Sequence, residues 1–116
     1  AYTARARVRQ VMTRTLQECD MLLCPSAPGP APSLEEFPPQ MVLPPEVVGG
    51  IVMYQAPFNF SGNPTISVPM GFATSGLPLS LQLVGRHCEE ALLVQVAAAY
   101  EHATEWHQQI APGAKL

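Results

Sequence analysis

Val8, Val11, Met12, Leu16 and Cys19, with Thr15 among them, recur at helical spacing and share one face. Arg5, Arg9 and Glu18 fall largely elsewhere, and no Pro or Gly interrupts the stretch. The pattern predicts a helix over residues 3–18. Met21-Leu22-Leu23-Cys24 is a short apolar run stopped by Pro25, which predicts a buried strand. Further on, Leu77, Leu79, Leu81 and Leu83 alternate with Pro78, Ser80, Gln82 and Val84, the period of a strand with one strongly buried face. Residues 65–70 form a second strand candidate, and the short loop between the two favours an antiparallel pair. From about Glu89 to Gln109, Leu92, Leu93, Val96, Ala97, Tyr100, Ala103 and Trp106 form an apolar helical stripe. Glu89 and Glu90 suit its first turn, and Pro112-Gly113 close it.

Between these elements the pattern breaks down. Eight of the 13 prolines lie in residues 25–50: Pro25, Pro28, Pro30, Pro32, Pro38, Pro39, Pro44 and Pro45. Proline fixes φ and lacks an N–H, so this stretch is expected to be irregular and to end at Gly49-Gly50. A polyproline interaction segment and a stiff loop laid on a larger body are both open. Leu34, Phe37, Met41, Val42 and Leu43 favour the packed loop. Residues 51–54 fit a short helix or a strand. Residues 56–64 are dense in turn formers and aromatics together. The organisation is a helix and strand (1–24), a proline-rich loop (25–50), a turn-rich segment (51–64), a strand pair (65–85), and a closing helix and tail (86–116). That is an α/β or α+β arrangement, with helices on a small sheet whose edges are open.

Composition adds one strong constraint. The chain has 116 residues, 47% of them hydrophobic, which allows a single domain with a modest core. Charged residues make up only 13%, about half the usual share. A free-standing small domain covers its surface with charge, so this chain reads as a piece of something larger. No apolar run approaches the length of a membrane helix, and no signal-peptide pattern is present. A net charge of −3 argues against an extended nucleic-acid surface. Arg5, Arg7, Arg9 and Arg14 give the first helix a basic side, read as a solvated or interfacial face. Cys19, Cys24 and Cys88 are odd in number and fit no redox or zinc spacing, so they are expected as free thiols in a reducing cytoplasm.

The residues themselves carry little chemistry. There is no Gly-x-Ser-x-Gly elbow and no glycine-rich phosphate loop. Asp20 is the only Asp, and Ser26, Ser61, Ser67, Ser75 and Ser80 are scattered. His102 and His107 lie about 140° apart around a helix, and His87-Cys88 diverge, so no metal is expected. Glu35-Glu36 and Glu89-Glu90 are adjacent and do not face one another as an acid–base pair must. Asn59-Phe60-Ser61 matches a glycosylation sequon with nothing else pointing to secretion.

Longer motifs are more specific. Asn59-Phe60-Ser61-Gly62-Asn63-Pro64, then Ile66-Ser67-Val68-Pro69-Met70-Gly71, then Gly76-Leu77-Pro78-Leu79-Ser80-Leu81-Gln82-Leu83-Val84-Gly85 resemble the C-terminal part of the amidase signature family. Asp20-Met21-Leu22-Leu23-Cys24-Pro25-Ser26 and the helix from Glu89 are similar to that family too, so the resemblance covers nearly the whole chain. It implies part of an α/β/α core with a mixed sheet, about three strands of it here. It implies an amide hydrolase or amidotransferase working through a Ser–cis-Ser–Lys triad, with no cofactor. It places no catalytic residue in this chain: the only lysine is Lys115 and there is no Ser-Ser or Gly-Ser dipeptide. It places residues 54–60 in the family's variable substrate-side region, which makes Tyr54, Gln55, Phe58 and Phe60 candidate pocket liners, with ordinary packing the favoured alternative. Gln82 looks like a family fixture, which a buried amide serving backbone groups explains equally well. The implied partners are the missing N-terminal part of the domain and a small-molecule amide, with self-association through exposed edges. A non-catalytic interaction module presenting the proline-rich loop is the alternative, and a small unrelated His enzyme is remote.

Overall fold

The computed structural model describes residues 2–33, 35 and 45–111. The apolar positions Leu34, Phe37, Met41, Val42 and Leu43, and Lys115, lie outside the described residues. Helix α1 (Tyr2–Glu18) leads into strand β1 (Leu22–Pro25). Helix α2 (Pro45–Ser61), strands β2 (Thr65–Phe72) and β3 (Pro78–Val84), helix α3 (Glu90–Ala103) and a 3₁₀ turn at Trp106–Gln108 follow. The strands form one sheet in the order β1-β3-β2. Both neighbours run antiparallel to β3, with Leu23 opposite Leu83 and Ser67 opposite Gln82.

The sheet is covered on both faces, because adjacent residues of β3 point to opposite sides. Val84 packs with Met12 and Leu16 of α1, alongside Leu22, Cys24 and Phe58. Leu83 packs with Val68 of β2 and with Leu93 and Ala97 of α3. This corrects the single buried face expected for β3: its C-terminal half, Gln82 to Val84, is buried on both faces, while Leu77 at its start is exposed. Central strands flanked by helices lose the alternation on which a sequence reading depends.

Helix α2 is the main departure from the expected irregular conformation. It begins inside the proline-rich stretch, with Pro45 and Glu46 in its first turn. A first-turn proline has a suitable φ and needs no N–H donor, and the acid suits the helix N-terminus. It then runs through Gly49-Gly50 and Pro57. Pro57 leaves the Met53 carbonyl without its intrahelical donor, so outside contacts must hold the helix. Phe58 supplies one by packing into the α1-side core. Arg5 Nε donates to the Phe60 carbonyl at 3.1 Å, which gives the basic side of α1 a structural use. The helix stops at Gly62, whose φ of 78° a glycine adopts freely and whose N–H donates to the Phe58 carbonyl. His87 Nε2 lies 2.9 Å from the Ser61 carbonyl and closes the same end.

Arg86 clamps the end of α1. Its guanidinium donates to the Leu16 carbonyl (2.7 Å), the Cys19 carbonyl (3.1 Å) and Asp20 Oδ1 (3.3 Å), and also pairs with Glu89. A cation on orphan C-terminal carbonyls favours the helix dipole as well as satisfying acceptors. Helix α3 ends at Ala103 rather than continuing to 109, because Thr104 turns to an extended conformation. The turn brings the Trp106 ring against Gly71 and edge-on to Phe72, with ring centroids 6.2 Å apart.

Gly85 sets how closely α3 approaches the sheet. A Cβ there would lie 3.1 Å from Leu93 Cγ, and Leu93 is itself buried. Gly85→Ala is expected to cost about 1–3 kcal/mol of stability in urea unfolding. Adding Leu93→Ala makes room, so the double variant is expected to lose less than the sum of the two single losses.

Candidate functional site

The α2-facing side of the sheet carries polar groups where the opposite side is apolar. Antiparallel parity puts Ser26, Ser80, Gln82 and Ser67 on this one face, although they come from three separate stretches of sequence. Ser26 is anchored by its N–H to the Ser80 carbonyl at 3.0 Å, and its hydroxyl donates to Ser67 Oγ at 3.2 Å. Gln82 is 4% exposed, and its Nε2 donates to the Tyr54 carbonyl (2.6 Å) and the Pro25 carbonyl (3.2 Å). One amide thus ties the end of β1, the middle of α2 and the central strand together. Burial pushes the Cys24 thiol above its ordinary range, and a hydrogen bond with Gln82 partly offsets that. The neutral thiol suits its place between the α1 core and this polar row.

Beside the row lies a cleft of about 280 Å³ between the segment after β1 and the start of β3. Pro25, Pro28 and Pro30 form one wall, Pro78, Leu79 and Ser80 another, and Tyr54 and Met70 contribute side chains. Fixed proline rings give it a stiff, mainly apolar lining with hydroxyls at its edge. Tyr54 is half-buried in this cleft. Gln55 is exposed beside it, its Nε2 3.5 Å from the Ser26 carbonyl. Phe58 packs in the α1-side core, and Phe60 lies with Val8, Val52 and Met53 in a separate apolar groove. The structure therefore brings Tyr54 and Gln55 together and sets Phe58 and Phe60 apart from them.

The Ser26–Ser67 contact was not visible in the sequence, where the two serines are 41 residues apart. The usable signal is parity: both fall on the same face once β1, β3 and β2 are placed in register. The Ser61 hydroxyl donates to the Phe58 carbonyl, and His102 Nδ1 lies 2.7 Å from the Ala98 carbonyl. These are structural bonds within helices. Among the described residues, no three of His, Cys, Asp and Glu converge to hold a metal. Among them too, no helix is long and apolar enough to cross a membrane. Cys19, Cys24 and Cys88 are all free.

A three-stranded antiparallel sheet between helices, with a polar row and cleft on one face, defines a layered α/β unit. The family model for amidases matches residues 1–94, and the chain belongs to the amidase signature family. It is 38% identical over 114 residues to the A subunit of glutamyl-tRNA(Gln) amidotransferase from Thermosynechococcus vestitus, a match covering 94% of this chain and 22% of that protein. The solved A subunit of the Thermotoga maritima glutamyl-tRNA(Gln) amidotransferase superposes with a TM-score of 0.74 at 27% identity, covering 88% of this chain and 21% of that one. The structure of 6-aminohexanoate cyclic dimer hydrolase does so with a TM-score of 0.71 at 30% identity, covering 83% of this chain and 22% of that one. The chain thus has the α/β fold of amidase-signature enzymes and spans about a fifth of the length of these relatives.

Proposed function

We propose that this chain is the C-terminal part of an amidase-signature domain that cleaves carboxylic amides, as a hydrolase or within an amidotransferase. The observation that carries the reading is the match of nearly the whole chain to about a fifth of such enzymes. The Ser–cis-Ser–Lys triad would lie in the remaining four-fifths. There a serine oxygen attacks the amide carbon, the C–N bond breaks, the amine leaves with a proton, and water or another acceptor releases the acyl group. This chain's share is to hold the cleft wall: Tyr54 and Gln55 face the substrate side, Gln82 fixes α2 against the sheet, and Phe58 anchors that helix in the α1-side core. The missing part of the domain is its partner, an amide its substrate, and the free thiols fit a cytoplasmic setting.

Exposed apolar side chains support a partner for this unit. Met53 is 73% exposed beside Val52 and Phe60, and Val11 and Val94 are exposed as well. A self-contained interaction module would cover them.

The test is amide hydrolysis by the purified 116-residue chain on aliphatic and aryl amides, with intact mass measured on the same sample. No turnover is expected. Turnover abolished by Ser26→Ala would place a nucleophile within this chain and overturn the reading.

A further inference from the structure

The cleft beside the polar row has a size and lining that select among amides. We propose that it takes the uncharged aromatic ring of an aryl amide and turns away amides whose neighbouring group carries a charge. This deepens the reading of the chain as part of an amidase-signature domain and rests on it, because that reading makes the cleft a substrate subsite.

The cleft measures about 280 Å³. An apolar cavity of about 150 Å³ holds one benzene ring. The space therefore suits one ring with an amide attached and falls short of two rings. Its walls favour a flat group. Pro25, Pro28 and Pro30 stand on one side and Pro78 on the other, and proline rings keep their place because φ is fixed. Gln82 ties these parts together. Its buried amide donates to the Pro25 carbonyl (3.2 Å) and the Tyr54 carbonyl (2.6 Å), so the proline wall and the Tyr54 backbone are held to the same strand. A ligand entering a cleft already held in this way loses little affinity to ordering its walls.

The lining decides the chemistry. Tyr54 offers a ring and Met70 a thioether, and both gain from an aromatic partner beyond the area they bury. Among the described residues, no ionisable side chain other than the Tyr54 phenol lines the cleft. Ser80 at its edge can hydrogen-bond a neutral amide but supplies no counter-charge. A carboxylate or an ammonium group placed there loses hydration without gaining a partner. The face of Tyr54 returns part of that cost to a cation and none to an anion.

Benzamide, benzoate and benzamidinium test this, since they share one ring and nearly one shape and differ in charge. Each is titrated into the isotope-labelled 116-residue chain, and the backbone amide NMR shifts are followed. Benzamide is expected to bind in the millimolar range, with shifts centred on Tyr54, Met70 and Leu79. Benzoate is expected to bind at least about tenfold more weakly and benzamidinium at least about threefold more weakly. Tyr54→Leu removes the ring and keeps the carbonyl that Gln82 holds, and is expected to weaken benzamide binding about threefold or more. Met70→Lys places a cation on the lining and is expected to reverse the order, so that benzoate binds more tightly than benzamide. Equal binding of the three compounds, no binding of benzamide up to its solubility limit, or shifts centred on Met53 or Trp106 instead would each overturn the proposal. Each of these leaves the amidase reading standing, because that reading fails by a different result, turnover by this chain that Ser26→Ala abolishes.

Discussion

Leu16→Ala is expected to destabilise the chain by about 2–5 kcal/mol, the range for truncating a fully buried leucine. Leu16 is 1% exposed and sits between α1 and the sheet against Met12 and Val84, with Val8, Leu22 and Phe58 around it. The loss has two parts, the transfer free energy of the removed carbons and the void left behind. Collapse into that void is restricted, because the Leu16 carbonyl and the end of α1 are held to the strand side by Arg86. The upper half of the range is therefore expected, read as a lower urea midpoint at unchanged m-value. Leu16→Met keeps most of the volume and is expected to cost under about 1.5 kcal/mol. If alanine and methionine were equally mild, the α1-side core would not be packed as described.

Gln82→Leu is expected to cost about 2–3 kcal/mol although it preserves size and adds apolar surface. The amide of Gln82 serves the Pro25 and Tyr54 carbonyls, and leucine leaves both without that donor in a buried setting. The damage should concentrate in α2, because that helix already lacks one internal bond at Pro57 and relies on tertiary contacts. Hydrogen exchange is then expected to rise around residues 53–58 before it rises in α3. A loss spread evenly over both helices would show that Gln82 serves general packing and not the α2 tether.

Much of the fold was legible because local patterns and tertiary placement agree. The α1 face and the α3 stripe carry a helical periodicity, and Leu16, Leu93 and Ala97 are buried as it requires, whereas the alternation of β3 marks a strand but not its burial, since Gln82 to Val84 are buried on both faces. The amidase resemblance was legible because its motifs are turn and strand residues in fixed order, such as Gly62 at positive φ and Gly85 beneath Leu93. Helix α2 was not legible. Its glycines and prolines argue against a helix locally, and it forms through a first-turn proline, the burial of Phe58 and bonds from Arg5, Gln82 and His87. The early end of α3 belongs with it, since the gain lies in seating Trp106 on the sheet.

The candidate site divides along the same line. The sequence alone determined the chemistry on offer: serines, amides and tyrosine, one lysine at Lys115, no adjacent serine pair, and a resemblance to the amidase signature family. Only the tertiary structure decided which of those groups meet. Ser26 reaches Ser67 and Gln82 reaches Tyr54, because the order β1-β3-β2 and the parity of each strand choose one face for each strand side chain, while Phe58 is drawn into the core by the packing of α2 against α1. Side-chain direction along one strand is a local property, whereas which strands lie side by side is set by contacts between residues far apart in the chain.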